Sequence, residues 1–201
     1  MTTFNIKFFT QVFVTLLVIM DPLGNVPIFL SLTSSAKLAS RKKLALHAVI
    51  VAGSVIGVFA LFGQEILSYL GITIPAIQGS GGLLLLLVAL ELLTGQASQP
   101  SALDEVSVAL VPLGTPLIAG PGAIAAVIVF SKEVKATGDV LALIAAILSV
   151  LVILWLSLRF SIQLVKIFKE GGIMLLTRVF GLLLAAIAVQ LVAEAISGFI
   201  G

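Results

Sequence analysis

The sequence predicts an all-α integral membrane protein, with six transmembrane helices arranged as two inverted three-helix repeats and the first helix of each repeat broken near the midplane. Three observations lead there. Of 201 residues, 60% are hydrophobic and only 10% are charged, whereas a water-soluble domain carries about a quarter charged residues. The apolar residues fall into six long runs. A Pro-Leu-Gly motif sits inside the first run of each half.

Eleven Lys/Arg and nine Asp/Glu cannot coat a soluble body of this size, so the surplus apolar surface needs a bilayer as its solvent. A net charge of +2 gives no basis for nucleic-acid binding. With no cysteine there is neither a disulfide nor a thiolate metal site, and the single histidine, His47, cannot make a histidine cluster. No cofactor or metal is expected. Lys7 followed by Phe8–Met20 has the outline of a signal peptide, but apolar character resumes after Asp21 and the chain is polytopic, so this segment is read as a retained span.

The first run, about Phe8 to Ser34, is interrupted by Asp21–Pro27. The second covers Ala45–Leu67 and the third Ile74–Leu93. The fourth, Val106–Ser131, is interrupted by Pro112–Gly122. The fifth covers Val140–Leu158 and the sixth Ile173–Ile196. Each approaches or exceeds the roughly 20 residues that a helical span requires, and none shows the alternation of a barrel strand. The polar stretch around Thr94–Glu105 divides the chain into a first repeat (1–95), a linker (96–105) and a second repeat (106–201). Lys37, Arg41, Lys42 and Lys43 follow the first span, and Arg159, Lys166 and Lys169 follow the fifth. The opposite side has only Lys7, Lys132 and Lys135, so the positive-inside rule puts both termini outside the cytoplasm.

Pro22-Leu23-Gly24-Asn25-Val26-Pro27 recurs loosely as Pro112-Leu113-Gly114-Thr115-Pro116, and the Leu-rich run from Gly82 to Leu92 aligns with that from Gly181 to Leu191. Three spans per repeat force the copies into opposite orientations. Proline inside a span removes a donor and clashes with the preceding turn. The freed backbone groups cannot face lipid and must be buried in protein or line a wet cavity. Two matched interruptions therefore point to a transporter binding site, where half-helix N-termini suit a carboxylate and free carbonyls suit an ammonium or a cation. A pair of kinks serving packing alone is the competing explanation.

The pattern from Met20 to Thr33, together with Pro112–Gly122, resembles the MarC family of bacterial and archaeal inner-membrane proteins across the whole chain. The family is similar in plan to the LysE-type amino-acid exporters. What the resemblance implies is a multi-pass protein of the cell's inner membrane that transports small solutes, with small neutral amino acids such as glycine and alanine as the substrate class.

Asp21 is the sharpest candidate residue, since a carboxylate inside a span is costly. It can hold a substrate ammonium or a coupling proton, or simply cap the half-helix beginning at Pro22. Its counterpart in the second half is Val111. Asn25 and Thr115 can bond substrate or satisfy local backbone. Gly24, Gly114, Gly120 and Gly122 form the site by allowing close backbone approach, and Pro22 and Pro112 create the interruptions. Glu91, aligned with Gln190, is expected to face the bundle interior as a proton or cation site, or else to lie near the interface beside Thr94. Arg178 and Glu194 sit near the ends of the sixth span, where they can snorkel. Gly53 and Gly57 suggest tight helix contacts. The expected partners are the lipid bilayer and a small-molecule substrate, with a homo-oligomer allowed. A passive channel and a membrane scaffold are the alternatives. An intramembrane enzyme lacks a catalytic constellation, because His47 lies at a membrane edge and Ser80 has no base beside it.

Overall fold

In the computed structural model, residues 4–33, 37–94 and 119–200 are described, and every regular element among them is an α-helix. They are α1 (Ile6–Met20), α2 (Asn25–Leu32), α3 (Leu38–Tyr69), α4 (Ile74–Thr94), α5 (Pro121–Glu133), α6 (Thr137–Arg159) and α7 (Ser161–Ile200). Within these residues four helices are long and apolar enough to cross a membrane: Ser40–Tyr69 of α3, all of α4 and α6, and Gly171–Ile200 of α7. The pair α1 and α2 forms a fifth candidate, bent by 44° at its break. The fourth expected span is represented by α5; its first part, with Pro112, Gly114 and Thr115, lies outside the described residues.

Helix ends extend beyond the apolar runs. α3 begins at Leu38, seven residues before the run at Ala45, because Arg41, Lys42 and Lys43 are good helix formers whose heads can stay in water. The connection expected between the fifth and sixth spans is also helical. Only Phe160 separates α6 from α7, and α7 breaks instead at Lys169 (φ 54°, ψ 171°).

Several contacts fix which helix ends lie together. Asn5 donates to Asp139 across 2.8 Å, joining the starts of α1 and α6. Asp139 Oδ2 also accepts from the backbone of Lys135 and Ala136, capping α6. Ser131 donates to the carbonyl of Ala60, tying the end of α5 to α3. At the opposite end Arg41 Nε donates to the carbonyl of Thr33, where α2 stops.

The main buried cluster runs from Phe8, Val12, Leu16 and Met20 of α1 through α3 and α5 to Ala142–Leu158 of α6. A second, smaller cluster joins Val18 to Leu85 and Ala89 of α4 and to Leu184, Ala188 and Leu191 of α7. Here α4 and α7 run antiparallel with their backbones close. A methyl at Gly82 would stand 2.8 Å from the carbonyl of Ala188, and one at Gly181 would stand 3.3 Å from the carbonyl of Ala89. At Gly82 only glycine permits that approach, and at Gly181 a side chain would require the neighbouring helix to give by a few tenths of an ångström. Gly53 packs on Leu151 of α6, whereas Gly57 faces open space, so just one of that expected pair makes a contact.

Candidate functional site

The break between α1 and α2 arises at Asp21, whose left-handed backbone (φ 31°, ψ 73°) ends α1. Residues 22–24 then turn before α2 starts at Asn25. Pro22 cannot supply the N–H that would continue the helix. At 1.5 Å per residue the break lies about 22 Å along α1, with about 12 Å of α2 beyond it, a combined length comparable to the roughly 30 Å apolar layer of a bilayer.

Asp21 is only 5% exposed. Its Oδ1 accepts from the Gly24 N–H at 3.0 Å, closing the turn between the two helices; Asp21 itself stands at the C-terminal end of α1 and the N-cap position of α2 is Gly24. Its Oδ2 is buried and has no hydrogen-bond partner among the described residues. A methyl at Gly24 would overlap Oδ2 and lie 2.8 Å from Cγ, so any side chain there has to displace the Asp21 carboxylate. Asn25 works on the backbone: its Nδ2 donates to the carbonyl of Met20 at 2.8 Å and to that of Asp21 at 3.0 Å. The Met20 carbonyl is one the break would otherwise orphan, whereas the Asp21 carbonyl also accepts the backbone N–H of Asn25 at 3.1 Å. The local role therefore accounts for Asn25, while one oxygen of Asp21 is left over.

At the second interruption Gly120 is extended ahead of Pro121, which occupies the first turn of α5. Gly122 is buried against Leu85 of α4, where any side chain would collide with that leucine. Met20 at one interruption and Ala119 and Ala123 at the other belong to the same buried cluster.

A groove of about 280 Å³ opens between α1, α5 and α7, with Gln11, Thr15, Glu133, Gln190 and Glu194 as its polar lining. Both oxygens of Glu194 accept amide donors, from Gln78 at 3.0 Å and from Gln190 at 2.8 Å. Gln11 and Thr15 are one turn apart on α1, and Asp21 is about 9 Å further along the same helix. Between groove and break stands the small apolar cluster of Val18, Leu85, Leu184 and Leu191, the last of which also lines the groove. Sequence reasoning missed this groove. The available signal was Gln11 and Thr15, two polar residues at i and i+4 in an otherwise apolar span.

The expectation that Glu91 faces the bundle interior is corrected in favour of its alternative, a place near the interface: Glu91 is exposed, while its repeat partner Gln190 lines the groove. Glu91 lies in the last turn of α4, where a flexible carboxylate can reach the water at the helix end at little cost. The structure brings Asp21, Pro22, Gly24 and Asn25 together and does not add Glu91 to them.

The model of the MarC family of integral membrane proteins matches residues 6–200. The UPF0056 membrane protein MJ1677 of Methanocaldococcus jannaschii is 38% identical over 201 residues, covering 96% of this chain and 98% of the relative. The UPF0056 membrane protein YhcE of Escherichia coli K12 is 30% identical over 206 residues, covering 98% and 95%. YvbG of Bacillus subtilis 168, another UPF0056 membrane protein, is 30% identical over 201 residues, covering 96% and 95%. No solved structure matches.

Proposed function

The chain belongs to the MarC family of integral membrane proteins, and from that premise we propose that it is a secondary transporter of small neutral amino acids, of the glycine or alanine class, working by alternating access around its two interrupted helices. The observation that carries the reading is the spare oxygen of Asp21. A carboxylate buried among apolar helices costs free energy unless its charge is met. The Gly24 N–H meets one oxygen, and the substrate ammonium or a coupling cation meets the other. The substrate carboxylate turns to the N–H groups opening a half-helix.

The groove beside Gln11 and Thr15 supplies an approach from one side. It ends on the apolar cluster around Val18, which suits a gated carrier better than an open channel. The inverted-repeat arrangement draws support from packing. The broken pair α1–α2 leans on α6 and α7, just as α5 leans on α3 and α4. Gly82 and Gly181, which align 99 residues apart, each face a carbonyl of the other's helix, and those carbonyls belong to Ala188 and Ala89, again 99 residues apart. Exchanging the halves leaves these contacts unchanged, as an axis in the membrane plane requires. The same reading places the protein in the inner membrane with both termini non-cytoplasmic and assigns it no enzymatic step.

The test is uptake of labelled glycine and alanine into proteoliposomes, with and without a pH gradient. Wild-type protein gives saturable flux, and Asp21→Asn folds but loses it. Wild-type rates in Asp21→Asn would remove Asp21 from the mechanism, and ion conductance without saturable flux would favour a channel.

A further inference from the structure

The two interruptions differ in how they are filled. At the first, Asp21 keeps a buried oxygen with no partner among the described residues. At the second, the opening turn of α5 is covered by Leu85 of α4, whose isopropyl group occupies the space that a side chain at Gly122 would take. Leu85 is 3% exposed and lies in the small buried cluster with Val18, which stands one turn before Asp21 on α1. Leu191, which lines the groove, belongs to the same cluster. One side chain is thus packed among the end of the groove, the approach to the first interruption and the opening of the second. Its backbone has little freedom to withdraw. A methyl at Gly81, one turn back on α4, would stand 2.5 Å from Ala125 Cβ of α5, and Gly82 lies against the Ala188 carbonyl of α7. With α4 seated between two neighbours, the space over Gly122 is set by the length of the side chain at position 85.

We propose that Leu85 is the specificity-determining residue of the carrier: it fills the space over the opening turn of α5 and so limits the substrate to an amino acid with little or no side chain. The inference rests on the transport reading above and deepens it. Glycine and alanine leave that space alone, whereas the branched chain of valine or leucine has to displace Leu85. A misfit of one methylene in an apolar pocket is worth about tenfold or more in discrimination. Shortening residue 85 therefore moves the size limit, while shortening a leucine elsewhere in the core does not.

The experiment has two readouts on full-length protein: saturable uptake of labelled glycine into proteoliposomes, and the concentrations of glycine, alanine, 2-aminobutyrate and valine that give half-maximal protection against thermal unfolding in detergent. Wild-type protein should be protected by glycine and alanine and not by valine. In Leu85→Ala the half-maximal concentration of valine relative to glycine should fall at least about tenfold. Leu154→Ala removes an equally buried leucine from α6, outside this cluster, and should lower Tm without changing the order of ligands. Should Leu85→Ala not fold, Leu85→Val shortens the side chain by one carbon and should admit 2-aminobutyrate. An unchanged ligand order in the folded position-85 variant, equal broadening by Leu154→Ala, or wild-type protection by valine would overturn the role of Leu85 and leave the transport reading standing. Protection by glycine with the expected size profile but no saturable flux would overturn transport and keep Leu85 as the limit of a binding site. Neither flux nor protection in the wild type would overturn both.

Discussion

Replacing Gly24 with alanine tests the construction of the break directly. The added methyl would occupy the space of Asp21 Oδ2 and approach Cγ to 2.8 Å. The carboxylate cannot swing into water, because Asp21 is buried, and it cannot shift without surrendering its bond to the Gly24 N–H. Losing that bond costs about 1–2 kcal/mol. Forcing a methyl into a filled site costs about 1–3 kcal/mol. The expected destabilisation of Gly24→Ala is therefore about 3 kcal/mol, measured as unfolding in mixed micelles titrated with a denaturing detergent. Gly57→Ala is the control. It faces open space within α3 and should be neutral or gain up to about 1 kcal/mol from helix propensity. The double variant Asp21→Ala/Gly24→Ala removes the obstacle along with the bond, so the pair should couple by about 1–2 kcal/mol. Wild-type stability in Gly24→Ala, or strict additivity in the double variant, would refute this account of the break.

Three other outcomes follow from the same geometry. Asn25→Ala strips the Met20 carbonyl of its side-chain donor, while the Asp21 carbonyl keeps the Asn25 backbone N–H, and should cost about 1 kcal/mol in the same unfolding assay, with Asn25→Asp failing to rescue because a carboxylate cannot donate. Gly82→Ala or Gly181→Ala should destabilise far more than Gly57→Ala, since each drives a methyl toward a carbonyl that is fixed within a helix. Glu91→Gln should leave both stability and solute flux unchanged, because the exposed carboxylate makes no contact at the break; a loss of flux measured in proteoliposomes would reinstate it as a coupling site.

The spans were legible because a bilayer demands long apolar runs, and Pro22 and Pro27 marked the first interruption for the same reason that they prevent a continuous helix. What each polar side chain does there was less legible. Asn25 could have faced a ligand, and only the three-dimensional turn shows its amide spent on two carbonyls. Asp21 illustrates the reverse: both expected roles were chemically sound, and the structure gives one oxygen to the Gly24 N–H of the turn and leaves the other without a partner among the described residues. The sequence leaves Glu91 between interior and interface because a position inside an apolar run does not give an angle around the helix; Thr94 just after it points to the interface, and the residue is exposed. The break at Lys169 carries no proline, and glycine appears only two residues later, so nothing local announced it. The groove depends on three helices distant in sequence, a relation that periodicity within one of them cannot encode.

The near-touching of α4 and α7 limits what this bundle can do mechanically. Where main chains meet at Gly82 and again at Gly181, sliding by even one residue would drive a side chain of one helix into the backbone of the other. That seam behaves as a keel. The alternating access proposed above would therefore have to move the flanking pieces, α1–α2 and α5, against it, with the break at Asp21–Gly24 as a joint in the first of them.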